Sequence, residues 1–281
     1  MSIKSQITEK LLLLVLDGCR YDTAVEQMGI LNHHVDYKQA QLIKVHAEMP
    51  SSSRPLYEVL ATGVPSYRNG ILTNADGQHS KELSIFDLVK AAGGSTAAAA
   101  HYWQSELFNQ APYEIKRDRI QHDHKKSIQH GIFYSENQYP DSHVFADGHY
   151  LLHTYQPNLL LIHSMNIDAA GHRYTAVSKE YRKAVNQADQ LIGLYLHDWL
   201  AAGYQVIVTA DHGMDEYGLH GGSMAAHREV PLYIFSDIFW PDCGIEKMNQ
   251  LELAPLICSL LKIDTSELVS YTHLTLPTIL L

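Results

Sequence analysis

The chain has 281 residues, of which 46% are hydrophobic and 19% charged, and its formal net charge is −10. Such a length and apolar fraction exclude disorder and allow a substantial α/β core. The acidic balance excludes a nucleic-acid polymer or an anionic membrane as a bulk electrostatic partner, but a local pair of cations can still draw in a small phosphate ester.

Read in chain order, "KLLLLVLDG" is a buried parallel strand ending at Asp17. "SRPLYEVLATG" reads as a helix with Pro55 in its first turn, and "ELSIFDLVKAAGG" as an amphipathic helix with a glycine stop, followed by the strand "STAAAAHYW". The stretch Glu114–Tyr139 is rich in His, Lys and Asp without apolar periodicity and reads as an insertion or cap, about 103–142. "SHVFADGHYLLHTYQ" is helical, and "PNLLLIHSMNID" is a buried strand ending at Asp168. A long helix follows from Ser178 as N-cap to Gly203 as stop, then the strands "YQVIVTADHG" and "VPLYIFS" and the helix "LELAPLICSLLKI". Strands alternating with helices predict one doubly wound, mostly parallel sheet with helices on both faces, a single domain over residues 1–268. The tail "VSYTHLTLPTILL" breaks the pattern and resembles translated adapter sequence, so 269–281 is left out of the fold.

Cys19, Cys243 and Cys258 show no spacing pattern, which suits a reducing compartment. The apolar run Leu11–Leu16 is too short for a signal-peptide core or a membrane span, so a cytoplasmic protein is expected.

Ligands in doubly wound sheets bind at the carboxyl ends of strands, where Asp17, Asp168 and Asp211 would meet. "NIDAAGHRY" sets Asp168 and His172 four apart, a spacing that aims both at one ion from a turn or helix start. Asp211 and His212 are adjacent, so on extended backbone they point to opposite sides and serve or bridge a second ion. Carboxylate with imidazole suits zinc, with manganese or iron as alternatives.

Together, "VLDGCR", "MPSSSRPLYEVLATGVPSYRNGILTN", "NIDAAGHRYTAVSKEYRKAVNQADQLIGLYL", "VIVTADHGM" and "GLHGGSMAAHREVPLYIFS" resemble the alkaline phosphatase superfamily, on the branch of type I phosphodiesterases and nucleotide pyrophosphatases, over roughly residues 10 to 265. The resemblance implies two divalent ions, zinc or manganese. One would be held by Asp168, His172 and a distant His, the other by Asp17, Asp211, His212 and the nucleophile oxygen. His220 and His227 compete for the distant position; Pro231 lies eleven residues after His220, the family's spacing, so His220 is preferred.

Among Ser51, Ser52 and Ser53, only Ser53 has Pro two residues on and Thr-Gly nine and ten residues on (Pro55, Thr62, Gly63), the family's pattern around its nucleophile. A helix N-terminus there would add backbone N–H groups that stabilise a phosphate. Asn74, twenty-one residues after Ser53, matches an Asn that hydrogen-bonds a non-bridging phosphate oxygen in phosphodiesterase-like relatives.

The departures are informative. Tyr57 stands where a sulfatase needs Arg, and no cation near "AAAAHYWQSELF" matches the extra positive residue of dedicated monoesterases. His101, Tyr102 and Trp103 offer aromatic stacking or core packing instead. There is no room for the inserted domain of a phosphoglycerate mutase. The expected activity is hydrolysis of small phosphodiesters through a phosphoseryl intermediate. The alternatives are a phosphomonoesterase, a phosphonate hydrolase, or a non-catalytic phospholigand-binding relative.

Overall fold

The computed structural model describes residues 7–237 and 244–263. Among these, nine strands form one sheet: β1 (Lys10–Leu16), β2 (Gln41–His46), β3 (Thr96–His101), β4 (Ile120–His122), β5 (His130–Tyr134), β6 (Leu159–Ser164), β7 (Tyr204–Thr209), β8 (Glu229–Phe235) and β9 (Lys247–Asn249). Their order is β4-β5-β3-β6-β1-β7-β8-β2-β9. The run β5-β3-β6-β1-β7 is parallel, whereas β4 and β8 pair antiparallel to their neighbours. β1 and β6 are apolar almost throughout because both faces are covered.

Two groups of helices supply that cover. Asp141–Tyr155 lies over β3 and β6 and touches Lys179–Ala201, while Ser53–Thr62, Ile85–Ala91 and Leu253–Leu260 pack together. The four alanines of β3 present only methyl groups, which lets its covering helix approach closely. The long helix is capped as its sequence predicts, Ser178 Oγ accepting from the Tyr181 backbone N–H at 3.1 Å.

Register positions the site. Leu16 of β1 pairs with Ser164 of β6, and Val15 with Thr209 of β7. The three central strands therefore finish level, and the segments that follow them emerge at one edge of the sheet.

The structure adds to or corrects the sequence reading at three points. β6 stops at Ser164; Asp168 lies in the first turn of the helix Asn166–Tyr174, with His172 one turn on along the same face. The stretch read as an insertion or cap contributes β4 and β5 to the edge of the sheet. Those strands are three and five residues long and carry His or Gln among their apolar positions, which hides their periodicity. β2, not recognised as an element in the sequence, alternates buried and half-buried residues between two antiparallel and parallel partners.

Cys19 and Cys258 are buried free thiols. Cys243 and the segment 269–281 lie outside the described residues. No helix among the described residues is long and apolar enough to cross a membrane.

Candidate metal centre

Asp17 follows β1, Asp211 and His212 follow β7, and the three donor groups lie within 4.8 Å of one another. Nε2 of His212 is 3.5 Å from Asp17 Oδ1 and 3.3 Å from Asp211 Oδ2. The expectation that adjacent residues point apart fails here because the chain bends at Asp211 immediately beyond the strand. Both side chains then turn into one buried cluster.

A second cluster joins Asp168, His172 and His220. The two clusters share a wall, for the His212 and His220 rings stack at 3.8 Å and 15°.

Hydrogen bonds fix which nitrogen each imidazole turns inward. The Nδ1 atoms of His172, His212 and His220 donate to the carbonyls of Gly218 (2.8 Å), Gly213 (3.0 Å) and Ser51 (3.0 Å). A carbonyl only accepts, so each Nδ1 carries the proton and each Nε2 keeps its lone pair. The Nε2 atoms of His172 and His220 then face each other, lone pair to lone pair, at 3.2 Å. Asp168 Oδ1 lies 3.4 and 3.8 Å from them.

The carboxylates are divided in the same way. Asp17 Oδ2 accepts from the Tyr57 hydroxyl and from His163 Nε2 at 3.1 Å, and Asp211 Oδ1 accepts from the Gly18 N–H at 3.2 Å. Asp17 Oδ1, Asp211 Oδ2 and Asp168 Oδ1 are buried without a partner. Buried anionic oxygens with no donor are costly unless a cation meets them. Three such oxygens and the three inward Nε2 atoms have the chemistry of a donor set for divalent ions, and the residues fit that role.

Burial dominates the electrostatics. It raises the pKa values of Asp17 and Asp168 well above the usual carboxylate range, reinforced by each one's carboxylate neighbours, and raises Asp211 against the pull of His163. It also holds His212 and His220 down to about 3, so both imidazoles are neutral.

Ser53 opens the buried helix Ser53–Thr62, and its hydroxyl donates to His212 Nε2 at 3.0 Å. Its neighbours are occupied otherwise. Ser51 Oγ donates to the Gly222 carbonyl at 2.6 Å, and Ser52 is the extended residue before the helix. Asn74 sits beside this helix start, with Oδ1 accepting from the Arg54 N–H at 3.0 Å, which leaves its Nδ2 as a donor. His227 lies outside both clusters. Its Nδ1 accepts from the Gly222 N–H at 3.0 Å, and its Nε2 donates to Asp215 Oδ2 at 3.2 Å.

The sequence reading missed four contributors. Tyr57 and His163 hold Asp17, and the signal for Tyr57 was its place four residues after Ser53, on the same helix face. Gly18 has φ +72°, and a Cβ there would sit 2.9 Å from Asp168 Cα, so only glycine lets the two Asp-bearing segments meet. Arg54 is buried in an ion pair with Glu106 and lies over the Trp103 ring at 5.1 Å. This contact uses one face of an aromatic that the sequence offered for stacking.

A family model described as type I phosphodiesterase / nucleotide pyrophosphatase matches residues 11–225. The chain belongs to that family. GPI ethanolamine phosphate transferase 2 of Eremothecium gossypii is 23% identical over 234 residues, which is 81% of this chain and 28% of the transferase. Human ectonucleotide pyrophosphatase/phosphodiesterase family member 7 is 34% identical over 76 residues, covering 25% of this chain and 16% of that protein. This chain thus spans less than a third of the length of the transferases it matches. The fold is that of murine ectonucleotide pyrophosphatase/phosphodiesterase 5, with a TM-score of 0.73 at 14% identity over 91% of this chain and 96% of the other.

Proposed function

We propose that this chain is a two-metal phosphoric ester hydrolase with Ser53 as nucleophile and phosphodiesters, nucleotidyl esters among them, as substrates. The observation that carries the reading is the pair of lone pairs on His172 and His220, 3.2 Å apart beside the partnerless Asp168 Oδ1. Asp168, His172 and His220 would hold one ion; Asp17, Asp211, His212 and the Ser53 hydroxyl oxygen would hold the other. Divalent ions there, zinc by preference for this donor set and manganese next, supply Lewis-acid neutralisation of the attacking and leaving oxygens.

The chain's own groups do the rest. Ser53 Oγ attacks phosphorus in line as the alcohol departs, and water opens the phosphoseryl ester to restore the hydroxyl. The Ser53 N–H at the start of Ser53–Thr62 and the Nδ2 of Asn74 would hold non-bridging oxygens, the Arg54 N–H being taken by Asn74 Oδ1.

Charge selects the substrate class. Arg54, next to Ser53, is neutralised by Glu106. Arg117 is bound to Glu114 and Asp118, Arg119 to the Phe133 carbonyl, and Lys126 to Asn109 and Gln110. With these four cations engaged, and the exposed Lys125 left to reach over, the centre would suit a singly charged diester better than a dianionic monoester.

The test is kcat/KM for matched nitrophenyl phosphodiester and monoester on zinc-loaded protein, with the diester expected to lead. Loaded protein that turns over neither ester, or a clear monoester preference, overturns the reading. A structure of murine ectonucleotide pyrophosphatase/phosphodiesterase 5 holds AMP in an inactive variant, which makes a nucleotidyl ester the natural third substrate.

The names of the curated relatives favour a second reading, in which an alcohol replaces water in the second step. Adding ethanolamine or glycerol to the same assay and looking for the transferred phosphoryl product separates the two.

A further inference from the structure

We propose that His122 and His130 form a second, independent binding site for a divalent first-row transition metal, with His124 as a third ligand, at the edge of the sheet opposite the candidate centre. The two residues are directly opposed on the antiparallel strands β4 and β5. Their Nδ1 atoms face each other at 3.3 Å. Zinc–imidazole bonds of about 2.0–2.1 Å at a tetrahedral angle place two nitrogens about 3.3–3.4 Å apart, so the pair is spaced as two ligands of one ion.

The surroundings fix this geometry. His130 is buried, 6% exposed, and stacks on Tyr155 at 3.8 Å and 11°. The Tyr155 hydroxyl is 3.4 Å from Nε2 of His122. When both Nδ1 atoms ligate, that Nε2 carries the proton and donates to the phenolic oxygen, an outer contact that orients the ligand. His124 is exposed, with its ring centroid 5.3 Å from that of His130, and its side chain would have to turn to bring a nitrogen onto the same ion.

An all-imidazole donor set selects zinc, nickel or copper and gives magnesium and calcium no oxygen ligands. Its position separates it from the hydrolytic site. His130 pairs with Ala97 near the start of β3, whereas Asp17, Asp168 and Asp211 lie beyond the carboxyl ends of the parallel strands. An ion there would bridge β4 to β5, clamping a three-residue strand at the rim of the sheet, where one side of the ladder is unpaired.

The experiment is equilibrium dialysis of the full chain against micromolar zinc, with metal counted per chain. The His122→Gln/His130→Gln double variant should bind one equivalent fewer than the parent while its turnover of a nitrophenyl phosphodiester is unchanged. His124→Gln should keep the equivalent but with about tenfold weaker affinity. An Asp168→Asn/His172→Gln variant should retain the equivalent, so the result stands apart from the fate of the hydrolytic reading. Equal zinc content in the parent and the His122/His130 variant overturns the proposal. Should that variant fold poorly, carbethoxylation of the parent with and without zinc decides the matter. Zinc must protect the exposed His122, and equal modification in both conditions refutes the site.

Discussion

Tyr57→Phe probes the support of the centre rather than its ligands. The Tyr57 ring is 1% exposed, and phenylalanine keeps its packing against Trp103 and His163, so the variant removes the bond to Asp17, a weak contact with Met165 Sδ at 3.5 Å, and little else. The first runs to Asp17 Oδ2, a hydrogen bond to a charged group and therefore worth about 1.5–3 kcal/mol. His163 still donates to the same oxygen at 3.1 Å, which places the expected stability loss at the lower end, about 1.5 kcal/mol. The larger effect should be on metal affinity, because a group that orients a ligand typically changes it by about 10–100-fold. Competition against a zinc chelator should show weaker binding in the variant, and diester turnover should return when zinc is in excess. Unchanged zinc affinity would refute the reasoning. So would lost activity that zinc does not restore, since Tyr57 would then act on the substrate and not through Asp17.

Ser53→Ala should abolish diester turnover and leave zinc content nearly unchanged, while Ser51→Ala should keep most activity, since the Ser51 carbonyl that holds His220 survives the change; kinetics with metal analysis on both variants checks this. Gly18→Ala should lower zinc content and activity together, because its φ of +72° costs about 1–2 kcal/mol for an L-residue and the new methyl meets Asp168; normal metal content would contradict the close approach. Glu58 is buried and its pKa is raised to about 8 from an ordinary 4.5, chiefly by desolvation. Between these values the native chain keeps a proton that the unfolded chain has lost, so stability falls as pH rises through the window and levels off above about 8. Glu58→Gln removes the titration. Its stability relative to the parent should therefore grow by about 2–3 kcal/mol from pH 5 to pH 7, at about 1.4 kcal/mol per unit; denaturant melts at the two pH values measure it, and a constant difference would disprove the assignment.

What the sequence made legible follows from where the strands stop. Asp17 and the pair Asp211–His212 come directly after apolar runs, and level register in a parallel sheet delivers such residues to one edge. Asp168 with His172 was legible as a helical spacing, although the helix begins later than the strand pattern implied. The contacts of Asp17 were not legible. His163 is 146 residues away and lies inside an apolar strand, where nothing local distinguishes a hydrogen-bonding imidazole from core filling. The common direction of Asp211 and His212 depends on one bend, which residue alternation cannot anticipate. β4 and β5 stayed hidden because edge strands are short and need only one apolar face.

The three consecutive serines tie the two loops of the centre together. Ser51 binds the histidine loop twice, through its carbonyl to His220 Nδ1 and through its hydroxyl to the Gly222 carbonyl. Ser52 takes the extended conformation, φ −126° and ψ 147°, that turns the chain into the helix. A Cβ on Gly221 would come 3.2 Å from Ser52 Oγ, so the two loops are also in close steric contact. Only then does Ser53 begin the helix, with its hydroxyl directed at His212. The loop bearing the proposed nucleophile and the loop bearing the last imidazole are thus fastened to each other by a side chain from each on a carbonyl of the other. The spacing between Ser53 and the two clusters is held by two side-chain-to-carbonyl bonds and one close steric contact, and such preorganisation is what an in-line displacement at phosphorus requires.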